Sequence, residues 1–218
     1  MEKEIIILTK SWKNGGYCVA GIDIKTKKLI RLVSDDEKSY GALSDMNMKT
    51  KNGEKINPLD LVKISIVNET PPKLQPENIL INVNIPWEKI KSYNNIIEII
   101  KDYKFEDLNC DDYIFYNTSS YITRENIDKN HKSLMLILVN DLSFYFKEYS
   151  ERKKIKAFFY YKGQKYDEIS VTDPDYSNKL PENKIKKAIL VVSLPSNPIS
   201  TDTGNRYYKF VAKVFELE

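Results

Sequence analysis

Residues 17–24 read YCVAGIDI and residues 29–33 read LIRLV. Lys25-Thr26-Lys27-Lys28 separates them, and a short polar connector between two apolar runs is the mark of a β-hairpin. Cys18 sits within the first run, where a free cysteine behaves as a small buried hydrophobe. A reactive thiol needs a cation or base nearby; Lys10, Lys13 and Arg31 are the candidates, and core packing is the simpler reading. The small Ala20-Gly21 step suits sharp coiling of a small barrel. Arg31 lies with Leu29 and Val33 by alternation, so it either meets a ligand phosphate or pairs with a carboxylate such as Asp23.

Working outward, residues 4–9 (EIIILT) predict a first strand, followed by a turn-rich loop, Lys10 to Gly16. A polar excursion runs from Ser34 to Asn57. Residues 60–67 alternate, with Leu61, Lys63, Ser65 and Val67 on one face and Val62, Ile64 and Ile66 on the other. Residues 79–85 predict a further strand. Pro86-Trp87 opens a predicted helix, because Ile90, Tyr93, Ile97 and Ile100 recur at steps of three and four. That helix and the acidic tract EDLNCDDY (106–113) read as the link between two β-rich halves, with a boundary near 105–115. Thr123 reads as the cap of a short helical turn. Strands are predicted at 134–139 and 142–147, parted by an Asn140-Asp141 turn, then at 155–161 and 166–171 around a turn at 162–165. Residues 188–194 form a continuous apolar run. Residues 207–215 alternate, with Tyr207, Lys209, Val211, Lys213 and Phe215 on one face. Many short strands with turns between them indicate sandwiches or barrels.

The 218 residues are 41% hydrophobic and 30% charged, which argues against wholesale disorder. No run approaches the length needed to span a bilayer, and the start lacks a signal-peptide pattern, so a cytoplasmic location is the expectation. Two distant cysteines, Cys18 and Cys110, make no disulfide framework. Together with the single His131, on a polar loop, they make no zinc cluster. Phosphate-cradling glycine motifs and the nucleophile elbow are missing. Asp23, Asp173 and Asp175 could hold a divalent ion, but Asp173-Pro174 is also a standard turn opening. No catalytic residue, metal or cofactor is assigned. The net charge is +3, and it is unevenly spread: residues 1–114 carry 17 Lys/Arg against 18 Asp/Glu, and residues 115–218 carry 17 against 13. A polyanion footprint is therefore expected on the second half.

Three segments interleave cations with aromatics: KSWKNGGY (10–17), FFYYKGQKY (158–166) and NRYYKFVAK (205–213). Single-stranded nucleic acid is held by this chemistry, with cations tracking phosphates and aromatic faces stacking bases. Tyrosine packing with solubilising lysines at strand edges is the competing explanation.

The stretch ILTKSWKNGGYCVAGIDIKTKKLIRLVS (7–34), with FYYKGQKYDEISVTDPDY, VVSLPSNP and RYYKFVAKVFELE later in the chain, resembles the dual OB-containing domain family. Pro195 departs from that pattern, where a glycine is usual. The resemblance implies a mainly β chain of two tandem small Greek-key (OB-like) barrels joined by a helical connection: residues 1–110 form the first barrel plus connecting helix and residues 111–218 the second. It also implies non-enzymatic binding of single-stranded DNA or RNA, in a bacterial defence or nucleic-acid modification setting. Lys10, Trp12, Lys13, Tyr17 and Arg31 would form one contact surface. Tyr161, Lys162, Lys165, Arg206, Tyr207 and Lys209 would form another. The alternatives are a protein-interaction adaptor and, further off, a carboxylate- or metal-dependent hydrolase or nuclease.

Overall fold

A computed structural model describes residues 1–13, 15–36, 38–68, 75–103, 114–128, 132–149, 152–176, 184–202 and 204–217. The chain divides into two units, Met1–Lys73 with Glu77–Glu106, and Leu74–Pro76 with Asp107–Glu218. Most of the boundary expected near 105–115 (residues 105–113), the acidic tract, Cys110 and His131 lie outside the described residues.

In the first unit, β1 (Glu2–Lys13), β2 (Gly16–Asp23) and β3 (Leu29–Val33) run as an antiparallel meander. They are followed by β4 (Asp60–Asn68), β5 (Asn78–Ile81) and β6 (Glu88–Ser92). The sheet order is β1-β2-β3-β5-β4, with β4 pairing back onto β1 and β6 added outside β4. β3 and β5 are parallel; the other ring pairs are antiparallel. Each of the five ring strands thus has a partner on both edges, and Ile5, Ile7, Val19, Ile30, Leu32, Val62, Ile64 and Ile66 fill the interior. β1 is bulged at Leu8: Ile7 opposes Gly21 while Thr9 opposes Ala20. Gly21 is required there, because a Cβ on it would lie 2.3 Å from the Ile6 carbonyl oxygen. The small step at Ala20-Gly21 therefore marks the sharp coil, as its sequence suggests.

Two expectations change in this unit. Lys10–Lys13 are strand rather than loop, since they pair with Gly16–Val19. The helix does not open at Pro86-Trp87. Glu88–Ser92 is the strand that covers the edge of β4, and α1 spans Ile96–Tyr103. Its start is set by Asn95, whose Oδ1 accepts the Glu98 N–H at 3.0 Å, while Glu98 Oε2 accepts the Asn94 N–H at 3.2 Å. An Asn-x-x-Glu cap outranked the apolar spacing.

In the second unit, β7 (Tyr121–Thr123) and α2 (Arg124–Asp128) precede a barrel. Its strands are β8 (Leu134–Tyr149), β9 (Arg152–Tyr161), β10 (Gln164–Val171), β11 (Ile185–Ser193) and β14 (Phe210–Leu217). Between β11 and β14 lie β12 (Ile199–Thr201) and β13 (Gly204–Tyr208). The barrel closes as β8-β9-β10-β14-β11-β8, with β10 parallel to β14. Numbered within the barrel, this is strand order 1-2-3-5-4-1, the same ring as in the first unit and the Greek-key order of an OB barrel. β12 and β13, inserted between the fourth and fifth barrel strands, form a separate three-stranded sheet with β7, which precedes the barrel.

Asn140-Asp141 is not a hairpin turn. β8 runs through it as one strand with a bulge, and Asp141 takes φ 53°, a conformation Asp tolerates. The bulge reverses the alternation, so Met135, Ile137 and Val139 face inward before it and Leu142 after it. A second bulge, at Ala212, does the same in β14. Val211 and Val214 both enter the core, which ends the strict alternation expected over 207–215.

Candidate functional site

The outward face of β8-β9-β10 carries a cluster of aromatic and basic side chains. Along β9, Ala157, Phe159 and Tyr161 point inward and are buried, so Lys156, Phe158 and Tyr160 point outward. Lys162 and Gly163 turn the chain with φ 47° and 75°, and Lys165 returns beside Tyr160. Phe158 meets Tyr160 edge-on at 5.5 Å, and the Lys165 ammonium lies 5.0 Å from the Phe158 ring centre. Tyr160 is 38% exposed. A bulge in β10 then sets both Asp167 and Glu168 opposite Phe158, with Glu168 at φ 59°. Tyr145, on β8, donates its hydroxyl to Asp167 Oδ1 at 2.8 Å, and Lys147 pairs with Glu168 Oε1. Burial and that carboxylate push the Tyr145 phenol well above its ordinary range, so it stays a donor. Lys156 is buried and donates to the Glu168 carbonyl at 3.1 Å and to Ser170 Oγ at 3.0 Å.

The inserted sheet offers a smaller surface. Tyr207 pairs with Ile122 on its buried face. Arg206 lies on the other face, 4.3 Å from the Tyr121 ring centre, and Tyr208 sits 5.8 Å from Tyr121. Lys209, between β13 and β14, follows Tyr207 and Val211 inward and is fully buried. Its ammonium donates to Asn117 O at 2.8 Å and Asn117 Oδ1 at 2.9 Å, and lies 5.0 Å from the Phe115 ring centre. Burial lowers its pKa to about 7.

In the first unit the Leu8 bulge shifts the phase of β1, so that Trp12 opposes Tyr17 and Lys10 opposes Val19 on one face. Trp12 and Tyr17 stack at 4.9 Å, with Trp12 53% exposed, and the Lys10 ammonium is 4.4 Å from the Tyr17 ring centre and 2.7 Å from Asp45 Oδ1. Lys13 donates to the Tyr40 carbonyl at 2.8 Å; burial pushes its pKa down, with Cys18 opposing the shift and Arg31 adding to it. The outer face of β2-β3 is closed, since Ala20, Ile22, Leu29 and Arg31 are all buried. A cavity of about 320 Å³ lies by Thr50–Glu54 and Trp87–Lys89. Both of its lysines are paired, Lys51 to Glu88 at 2.9 Å and Lys89 to Asp60, outside the lining, at 3.0 Å.

The eleven residues expected at contact surfaces therefore part company. Lys10, Trp12, Lys13 and Tyr17 come together at the tip of the first hairpin. Lys162 and Lys165 are exposed on the second barrel, and Arg206 is half-buried on the inserted sheet. Arg31, Tyr161, Tyr207 and Lys209 are interior and leave the contact set. Arg31 donates its backbone N–H to Glu77 O at 2.8 Å and its Nη1 to Asn78 Oδ1 at 3.0 Å, so it fastens the β3–β5 seam. Asp23 is not its partner: it binds Lys3 at 2.7 Å and caps the turn at Lys25 and Thr26. Cys18 is half-buried rather than fully buried. Phe158, Tyr160, Tyr145, Tyr121 and Tyr208 are the outward aromatics that sequence reading passed over. In FFYYKGQKY, pairing Lys165 with Tyr160 across the turn and then counting back by twos from Tyr160 picks Tyr160 and Phe158 over Tyr161.

The carboxylate pair Asp173 and Asp175 converges on an ammonium. Lys213 lies 3.3 Å from Asp173 and also binds Asp175, and Asp173 Oδ2 accepts the Val214 N–H at 2.9 Å. Asp173 Oδ1 accepts the Asp175 N–H at 3.2 Å, capping the 3-10 turn Pro174–Tyr176. Among the described residues no group of three or more His, Cys, Asp or Glu could hold a metal ion, and no helix is long and apolar enough to cross a membrane.

A search of curated proteins gave no match. Among solved structures, the crystal structure of the tetrameric p202 HIN2 is similar at 10% identity, over 100% of this chain and 94% of that one, with a TM-score of 0.36. The family model of the dual OB-containing domain matches residues 3–214, and the chain belongs to that family.

Proposed function

We propose that the chain is a binding module for single-stranded nucleic acid, DNA or RNA, rather than an enzyme. One observation carries this reading: Phe158, Tyr160 and Lys165 face outward on the second and third strands of a closed OB ring. That is the face on which OB barrels take oligonucleotides, with the loops after the first and fourth strands flanking it. Bases stack on Phe158 and Tyr160 while Lys162 and Lys165 meet phosphates. β12 and β13 lie in the loop after the fourth strand, and with β7 they offer Arg206, Tyr208 and Tyr121 as a second contact surface. In the first barrel, Trp12 offers one open ring face at the hairpin tip, with Lys13 nearby.

The test is titration of the chain with fluorescent single-stranded DNA and RNA at low and moderate salt. Affinity falls as salt rises, with a log–log slope of about −0.7 per phosphate neutralised. Absence of binding at low salt, or binding indifferent to salt, refutes the proposal.

A further inference from the structure

Resting on the nucleic-acid reading, we propose that Asp167 and Glu168 select guanine in the bound strand, by accepting hydrogen bonds from the N1–H and exocyclic amine of its Watson–Crick edge. A face that binds a polyanion is weakened by every carboxylate it presents. Here the β10 bulge nonetheless brings two against Phe158, where a regular strand would bring one. Internal contacts use only part of their capacity. Asp167 Oδ1 accepts the Tyr145 hydroxyl at 2.8 Å and the Glu168 N–H at 2.7 Å, and Glu168 Oε1 binds Lys147. Asp167 Oδ2 and Glu168 Oε2 accept no hydrogen bond among the described residues. Those contacts also fix the carboxylates in place before a ligand arrives.

A base stacked on Phe158 or Tyr160 brings its edge alongside these oxygens. Carboxylates only accept, so the base must donate. Guanine presents two adjacent N–H donors on its Watson–Crick edge, which single strands leave open to proteins. Cytosine and adenine present one amine beside a ring acceptor, and the single N–H of thymine or uracil is flanked by two carbonyl oxygens that repel a carboxylate. A bidentate contact of this kind discriminates by about tenfold or more.

The experiment compares oligonucleotides of about twelve nucleotides, within the span of one OB barrel, in DNA and RNA backbones. One set is all thymine or uracil; a second carries interspersed guanines; a third carries inosine at those positions, which lacks the amine. The expected order is guanine tightest, inosine intermediate and pyrimidine weakest. Glu168→Gln and the double variant Asp167→Asn/Glu168→Gln flatten that order without weakening the all-pyrimidine ligand, and their thermal unfolding is recorded alongside. Equal affinity of the intact chain for all three sets overturns guanine selection and leaves the binding reading standing. A preference that survives in the double variant also overturns it. Failure to bind any oligonucleotide overturns both. The inosine comparison needs no variant, so it decides even if a substitution unfolds the barrel.

Discussion

Lys209 offers the sharpest physical test of the second barrel. Its side chain is fully buried against Phe115 and Tyr166, and its partners are the two oxygens of Asn117, both uncharged. Burial alone lowers its pKa from 10.5 to about 7. In the unfolded chain the amine keeps its ordinary value, so between pH 7 and 10.5 the unfolded state binds more protons than the folded one. Stability therefore rises with pH across that window, and is lost as pH falls towards 7. Below the window both states are protonated and the contribution is flat at its minimum. The full span is about 5 kcal/mol, at 1.36 kcal/mol per pKa unit. Both tryptophans belong to the first unit, so unfolding of the second barrel is followed by circular dichroism during urea titration. Lys209→Met keeps the stem and removes the titrating group, and subtracting its unfolding free energy from that of the parent cancels every other ionisation. The difference should climb by several kcal/mol between pH 7 and 10, with the substitution favoured at the acid end. A difference that stays flat refutes the view that this lysine is held neutral by burial.

Replacing Phe158 or Tyr160 by Ala should weaken single-strand binding by about 1–3 kcal/mol each, as read by fluorescence anisotropy, whereas Tyr161→Phe leaves it unchanged; the reverse pattern would return Tyr161 to the surface. Arg31→Met strips Asn78 Oδ1 of a buried donor and should destabilise the first unit by about 1–3 kcal/mol. Trp87 fluorescence during urea unfolding reports it, and a loss of oligonucleotide affinity in fully folded Arg31→Met protein would contradict its assignment to the β3–β5 seam. Gly21→Ala forces a Cβ to 2.3 Å from the Ile6 carbonyl oxygen and should cost about 2–4 kcal/mol; an unshifted urea midpoint would show that the β1–β2 coil gives way freely. Chelation by EDTA should leave the melting temperature unchanged, because the Lys213 ammonium holds the seat between Asp173 and Asp175, and a fall of several degrees would point to a bound ion instead.

The strands of residues 17–33 and 60–67 were legible in period-two alternation and short polar connectors, whereas the two-barrel arrangement was legible only through the family resemblance. What sequence reading lost, it lost to irregularities of a single residue. At Asn140-Asp141 the turn-forming residues accommodate a left-handed bulge in the middle of a strand, so one sixteen-residue strand looks like two. At Ile90 the three- and four-residue spacing that predicts a helix coincides with a strand whose partner, β4, lies nearly thirty residues away. Bulges at Leu8, Glu168 and Ala212 each invert the faces beyond them, and alternation counted through such a point assigns the wrong residues to the surface. Arg31 was lost for another reason: one of its acceptors, Asn78, is forty-seven residues distant and uncharged, so nothing local in the sequence points to it.

The two barrels share one strand order and diverge in what that order exposes. On the first, the outer face of the second and third strands is filled by Ala20, Ile22, Leu29 and Arg31, all buried. On the second, the equivalent strands turn Phe158, Tyr160 and Lys165 outward. The basic excess of residues 115–218 falls on the same side of that division. A base on the face of the first barrel would have to displace buried side chains, whereas on the second Tyr160 and Lys165 are exposed and Phe158 is half-buried. On the proposed reading, the second barrel carries the binding face and the first contributes through its hairpin tip alone. Exchanging Trp12 for Ala should therefore trim affinity by no more than one stacked base, about 1–3 kcal/mol, while the combined loss of Phe158 and Tyr160 should abolish it. If the first-barrel change proves the larger in parallel anisotropy titrations, the assignment of the binding face is inverted.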